Sequence, residues 1–273
     1  MGARSAPASP SFEPNDEGQY TSPTGVCCWC EDYEDECRPL ANSQYYRRTH
    51  SGIQETGSNQ KWFKLFVMLK SGYIKVQVRF LYLPDGPTTE DEGNRARKGL
   101  TEAAQSWTGH IAIRIVDPQC GERVLPVEFE ALPVVSGQHY TVTVFQWMPP
   151  EHQVESQQRA HVEHDQVRLL TTTTREWTFT HEFAHCVGLP DEYGRSAEVE
   201  RVTYMTPQGP PDTPIDIDAL GAGSRRQDLN VMSTHGQYKR CKRHGYFIAI
   251  EAQKLLTRVL QRPIRCFVER PTE

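Results

Sequence analysis

Around Tyr73 the chain settles into strict alternation. Ile74, Val76, Val78 and Phe80 fall on one face of a run that ends at Leu83, with Lys75, Gln77 and Arg79 between them. A period of two predicts a strand with one buried face. Trp62 to Lys70 is a second apolar run, separated from the first by Ser71-Gly72, and Pro84-Asp85-Gly86-Pro87 stops the pair. The period then changes. From Glu90 to Trp107, acidic residues come first, and Ala96, Leu100, Ala103, Ala104 and Trp107 make one stripe at helical spacing. His110 to Val116 predicts a strand that Asp117-Pro118 ends. His139 to Trp147 predicts another, alternating through Tyr140, Val142 and Val144. Thr171 to Val187 predicts a helix, and residues 190–230 form a Pro- and Gly-rich stretch. Tyr238 to Leu260 predicts a closing helix, with Phe247, Ile248, Ile250, Leu255, Val259 and Leu260 available to a core. The mixture predicts an α+β fold.

Residues 1–58 lack this patterning. They are rich in Ser, Pro, Gly, Asn and acidic residues and include the run Glu31-Asp32-Tyr33-Glu34-Asp35-Glu36. We divide the chain into a polar, Cys-containing extension over 1–58, ordered by its cysteines or by packing on the domain if at all, and one substantial domain over 59–273. The 273 residues are 37% hydrophobic and 24% charged, with a formal net charge of −5. That balance argues against general nucleic-acid binding. The one basic cluster, Lys239-Arg240-Cys241-Lys242-Arg243-His244, reads as a solvated face opening the last helix, with partner docking as the other reading. No stretch is apolar enough to span a bilayer. Met1 to Pro10 has no apolar core of a secretory signal, so synthesis in the cytoplasm is expected, with any export by a specialised route.

Eight cysteines are present. Cys27, Cys28, Cys30 and Cys37 are crowded together, while Cys120, Cys186, Cys241 and Cys266 are scattered. The crowded group leaves three readings open: a structural zinc knuckle completed by Cys37 or His50, one or two disulfides, or free thiols. Cys186 reads as a buried thiol.

The most specific string is His181-Glu182-Phe183-Ala184-His185-Cys186-Val187-Gly188-Leu189-Pro190-Asp191-Glu192. On a helix, residues four apart share a face, so His181 and His185 can direct both imidazoles at one metal ion. Glu182 can then reach a water there without being a ligand. Gly188 can end the helix in the left-handed conformation, and Pro190 prevents it from resuming. The turn can bring up Asp191 as a third ligand; Glu192, one residue further, is its rival. Two His and one carboxylate leave one position of a tetrahedral zinc open, as catalysis requires. His161 and His164 invite a second-metal reading, but Glu163, Asp165 and Gln166 beside them favour an exposed helical or loop segment.

This H-E-x-x-H-x-x-G-x-x-D string resembles the metzincin zinc metallopeptidases, in the snapalysin-like variant where Asp replaces a third His. The resemblance implies a twisted mixed sheet with a backing helix, a zinc helix, a Met-containing turn and a C-terminal helix. Asp228-Leu229-Asn230-Val231-Met232-Ser233-Thr234-His235-Gly236 is similar to the Met turn, with Met232 as its floor and Met205 the alternative. Several metzincins place Tyr two residues after that Met; Thr234 stands there, with Tyr238 and His235 nearby. One catalytic zinc, held by His181, His185 and Asp191, with Glu182 as general base, is the implied centre. A protein or peptide is the implied substrate, paired with an edge strand, either His110 to Val116 or His139 to Trp147. The string also resembles metallopeptidase effector and toxin domains of bacterial secretion systems, which implies a cognate inhibitor or immunity protein. An intracellular housekeeping peptidase and a non-catalytic zinc module are the alternatives.

Overall fold

The computed structural model describes residues 20–21, 27–37, 45–50, 53–57, 62–84, 89–145, 160–163, 165–170, 174–193, 200–217, 230–233 and 238–270. In chain order the strands up to the first helix are β1 (Tyr20–Thr21), β2 (Cys27–Cys28), β3 (Asp32–Cys37), β4 (Tyr46–His50), β5 (Ile53–Gly57), β6 (Phe63–Met68) and β7 (Tyr73–Pro84). Then come α1 (Glu90–Trp107), β8 (Ala112–Asp117), β9 (Gly121–Pro133), β10 (Tyr140–Phe145), β11 (His161–Glu163), β12 (Gln166–Leu170) and α2 (Glu176–Cys186). The chain closes with β13 (Glu200–Tyr204), β14 (Ile215–Ile217), α3 (Tyr246–Leu260) and β15 (Arg265–Glu269).

The fold is α+β, built on a twisted mixed sheet. Its main path runs β11-β12-β10-β7-β9-β8-β15, and β6 joins β7 and carries β3 outside it. β7 lies parallel to β9 and β10, and β10 parallel to β12; the other pairings are antiparallel. The alternating face of β7 is the centre of the core, with Ile74, Val76, Val78 and Phe80 all at 0% exposure. A second sheet, β14-β13-β4-β5, is antiparallel throughout. The candidate edge strands of the sequence reading are interior: β8 lies between β9 and β15, and β10 between β7 and β12. His161 lies in strand β11 rather than in a helical or loop segment, and His164 is outside the described residues.

Helix α1 is the element the sequence specifies most fully. Thr89 caps it: its hydroxyl accepts from Glu92 N, and Glu92 returns to Thr89 N at 2.7 Å. Ala96, Leu100, Ala103, Ala104 and Trp107 are buried as the stripe predicts. Gly99 allows α1 to approach α2 closely, because a Cβ there would meet the Phe179 ring at 2.5 Å. The predicted helix over 171–187 is shorter. Thr174 and Arg175 precede its first turn, and residues 171–173 lie outside the described residues. The closing helix likewise begins at Tyr246 after a 3-10 turn over Lys242–Gly245, not at Tyr238.

Segments from residues 1–58 contribute to the main sheet and to the second one, and β1 pairs β2 in a sheet of two strands. The acidic run forms β3, a charged edge strand, with Glu34 on Lys64, Glu36 on Arg79 and Asp35 on Arg258. Cys28 is disulfide-bonded to Cys120 at the β8–β9 turn, and Cys27 to Cys30. Cys37, Cys186, Cys241 and Cys266 are buried thiols outside these disulfides. Of the crowded group, Cys27, Cys28 and Cys30 follow the disulfide reading, with Cys28 paired outside the group, and Cys37 remains a thiol. No helix among the described residues is long and apolar enough to cross a membrane.

Candidate metal centre

Two large side chains pin α2, one at mid-helix and one at its C-terminal end. Trp107 Nε1 donates to Thr180 O at 3.1 Å, and Tyr140 OH donates to Cys186 O at 2.7 Å. The helix then stops in a Schellman motif. Gly188 adopts φ +100°, Gly188 N donates to His185 O at 3.0 Å, and Leu189 N donates to Ala184 O at 3.1 Å. This turn folds Asp191 back over the helix.

His181 Nε2, His185 Nε2 and Asp191 Oδ1 form a nearly equilateral triangle. The two nitrogens are 3.1 Å apart, and the carboxylate oxygen lies 3.1 Å from the first and 3.0 Å from the second. The opposite face of each ring fixes its tautomer. His181 Nδ1 lies 2.9 Å from Val231 O and His185 Nδ1 2.8 Å from Leu189 O. A carbonyl can only accept, so each Nδ1 carries the hydrogen and each neutral Nε2 presents a lone pair. Two lone pairs and a carboxylate oxygen at this separation repel one another unless a cation sits among them. A tetrahedral ion with bonds of about 2.1 Å sets its ligand atoms about 3.4 Å apart, so a contraction of a few tenths of an ångström separates the triangle from that geometry. The buried cluster His181, His185 and Asp191 could hold a metal ion.

The electrostatics agree. Burial raises the Asp191 carboxyl, but His185 and His181 outweigh it and hold the pKa well below the usual range. Burial opposes the charge on His181, yet its hydrogen bond to Asp191 and the charges of Glu182 and Asp191 hold its pKa above the ordinary value. Glu182 is 4% exposed, and its Oε2 is buried without a hydrogen-bond partner. Trp177, one turn before His181, stacks on that imidazole with centroids 4.9 Å apart and planes 24° apart.

Glu192 has a different environment. Its carboxylate accepts from Tyr204 OH at 2.6 Å, Asn230 Nδ2 at 2.8 Å, Arg243 Nη2 at 2.6 Å and Arg243 Nε at 2.8 Å, with His244 Nε2 3.3 Å away. It ties β13, the Met232 turn and the 3-10 turn together and belongs to none of the converging donors. Met232 is fully buried. Its N takes Asn230 Oδ1 at 2.8 Å as acceptor, and its O accepts from Glu192 N at 2.8 Å. The preceding residue supplies the carbonyl that holds His181, so this turn abuts the centre. Met205 instead bridges Pro211 and donates from its N to Tyr45 O. Thr234 and His235 lie outside the described residues, and Tyr238 is exposed on the surface.

Several contributors have no simple sequence signal. Arg48, in β4, forms a buried ion pair with Glu200 and donates to Tyr193 O at 2.9 Å and Asp191 O at 3.4 Å. It therefore braces the loop that carries Asp191. Val231 O and Leu189 O act through the backbone, so their side-chain identities say nothing of the role. Trp177 was legible in principle, because it stands four residues before His181 on the same helical face. No protein-family model matches the chain, and no curated protein matches it.

Proposed function

We propose that the protein is a zinc-dependent endopeptidase of metzincin type, with one zinc held by His181, His185 and Asp191. The observation that carries this reading is the lone-pair triangle beside Glu182, whose buried Oε2 has no protein partner. Two imidazoles and one carboxylate form a donor set suited to zinc, with a position left for water or substrate. When bound, zinc supplies Lewis acidity that acidifies water and polarises an amide carbonyl. Glu182 is the general base: its carboxylate takes a proton from the attacking water and carries it to the departing amine. Val231 and Leu189 carbonyls hold both imidazoles in the ligating tautomer, and Trp177 keeps the His181 ring in plane. The metzincin assignment draws support from the order of strands, backing helix, ligand helix, Met232 turn and closing helix, and a polypeptide substrate follows from that likeness.

Metal analysis and hydrolysis of an unfolded protein substrate, on wild type and Glu182→Ala, test the reading. Both should carry one zinc per chain, and the variant should lose at least about 100-fold in rate. A wild type without zinc at neutral pH, or a variant of equal activity, would end it. The delivered-effector role belongs to the same proposal. Cys28–Cys120 and Cys27–Cys30 suit an oxidising destination. Wild type exported to the periplasm of a susceptible bacterium should kill, and Glu182→Ala should not. If wild type is harmless both there and in the cytoplasm, the effector role is lost and the peptidase reading stands.

A further inference from the structure

Residues 238–242, downstream of the Met232 turn, line a cavity of about 540 Å³ with residues 109–111 ahead of β8 and the end of β15. Around it stand His110, Lys239, Arg240, Lys242 and Arg270, with Glu269 as the one acid among the described residues. Glu269 already accepts from Arg114 at 3.0 Å. The cavity is therefore electropositive in a chain whose net charge is −5.

Arg240 departs from the pattern of the other buried guanidinium groups. Arg48 meets Glu200, Arg243 meets Glu192 and Arg262 meets Asp117. Arg240 instead meets Ser106 Oγ at 2.8 Å, the Tyr238 carbonyl, and the Trp107 ring at 5.2 Å, all of them neutral. Its Nε is buried without a hydrogen bond. Burial without a counter-charge pulls its pKa down, and burial together with Arg240 does the same to His110. The guanidinium is thus oriented by an indole and a hydroxyl but not neutralised, and a carboxylate arriving from outside would supply the missing partner.

Two short links connect the wall of the cavity to the metal centre. Lys239 O accepts from Val231 N at 3.1 Å, and Val231 O holds His181. Ser106 Oγ lies 3.4 Å from Thr180 Oγ1, next to His181 in the chain. Ile111 and Val268 add apolar wall, which a free inorganic anion does not use but an acidic side chain with its methylene stem does.

We propose that this cavity binds an acidic side chain of a polypeptide, with Arg240 as the anchor, and so selects substrates that carry Asp or Glu near the cleaved bond. The peptidase reading enters only in taking the bound polypeptide to be a substrate. Binding is measured on full-length Glu182→Gln, which should not turn over, by fluorescence anisotropy with a Glu-containing peptide and its Gln twin. The Glu peptide should bind about tenfold more tightly at low salt, and the preference should shrink as salt screens the charges. Arg240→Gln should abolish most of the preference, and Lys242→Gln, at an exposed position, should reduce it about twofold. If Arg240→Gln fails to fold, Lys242→Gln and Arg270→Gln decide. Equal affinity for the twins, a preference untouched by these variants, or millimolar phosphate binding without any Glu preference would overturn the proposal. A Glu preference that persists after chelation, in a protein whose wild type hydrolyses nothing, would retain the pocket and remove the peptidase reading.

Discussion

Asp191 and Glu192 follow one another in the chain, and each is 3% exposed or less, yet their carboxylates meet opposite surroundings. Glu192 is met by a complete set of donors: a guanidinium, an imidazole, a phenol and an amide. Asp191 is met by two imidazole nitrogens whose ring partners have already consumed their only neutral-state hydrogen. One cluster contains its own cation; the other is a donor set that could hold a metal ion. A buried carboxylate does not by itself identify a metal ligand. What the neighbours have left to donate does.

Exchanging the two removals breaks the comparison most directly. Glu192→Ala strands Arg243 and His244 in the interior and should cost about 3–5 kcal/mol, enough to unfold much of the population. Burial raises the Glu192 carboxyl, but Arg243 and His244 hold it far below its ordinary value. Its contribution is therefore present above about pH 4.5 and is lost as pH falls through the depressed folded value. The stability gap between wild type and Glu192→Gln should narrow in acid. Asp191→Asn should do the reverse: little loss in denaturant unfolding of the metal-free protein, but metal affinity at least about 100-fold weaker. If Glu192→Ala sheds the metal while Asp191→Asn only destabilises, the assignment is inverted.

A chelator sharpens the same contrast. In metal-free protein a proton is the competing occupant of the Asp191 cluster, and the pKa of His181 is held above the usual 6.5. A raised folded value contributes stability below the unfolded pKa and loses it as pH rises through the folded one. Metal-free protein should therefore melt lower at pH 8 than at pH 6, and added metal should recover most at pH 8. A melting temperature that is flat from pH 6 to 8 and indifferent to metal would mean that nothing is missing from the triangle.

The sequence shows one of these clusters more readily than the other. The spacing from His181 to Asp191 names the converging atoms, because a helix and its Gly188 terminus translate residue offsets into directions. Glu192's partners come from β13, the Met232 turn and residues 243–244, and no local pattern joins them. For the same reason the basic run from Lys239 reads as a solvated helical face, whereas Arg243 and His244 turn inward to Glu192 and Arg240 lies on Trp107. Among the strands, β7 is legible because one face is apolar throughout. β9 is not, because Pro126 interrupts it. The structure accommodates Pro126 where β9 ends its pairing with β8 and begins its pairing with β7.

Gly99→Ala probes how far the metal cluster depends on the packing of α2. A methyl group there would overlap the Phe179 ring and push α2 from α1. The expected cost is about 1–3 kcal/mol. Because α2 carries both imidazoles but none of Glu192's partners, metal affinity should fall together with stability, while the acid sensitivity traced to Glu192 should persist. Thermal unfolding with and without metal separates the two. Unchanged metal affinity in a destabilised variant would show that the triangle is held by its loops rather than by the helix.

Met232 belongs to both clusters through its backbone, and its side chain should matter least. Its N–H is taken by Asn230, its carbonyl by Glu192, and its neighbour Val231 holds His181. None of these contacts requires a thioether. Leucine has nearly the same volume, so Met232→Leu should lose under about 1.5 kcal/mol and keep both metal and hydrolysis. Met232→Pro acts on the backbone instead. It removes the N–H donated to Asn230 and should lower metal retention well beyond what Leu does. If Leu proves as damaging as Pro, the sulfur itself contributes to the centre. Turn geometry would then no longer suffice to explain a methionine at this position.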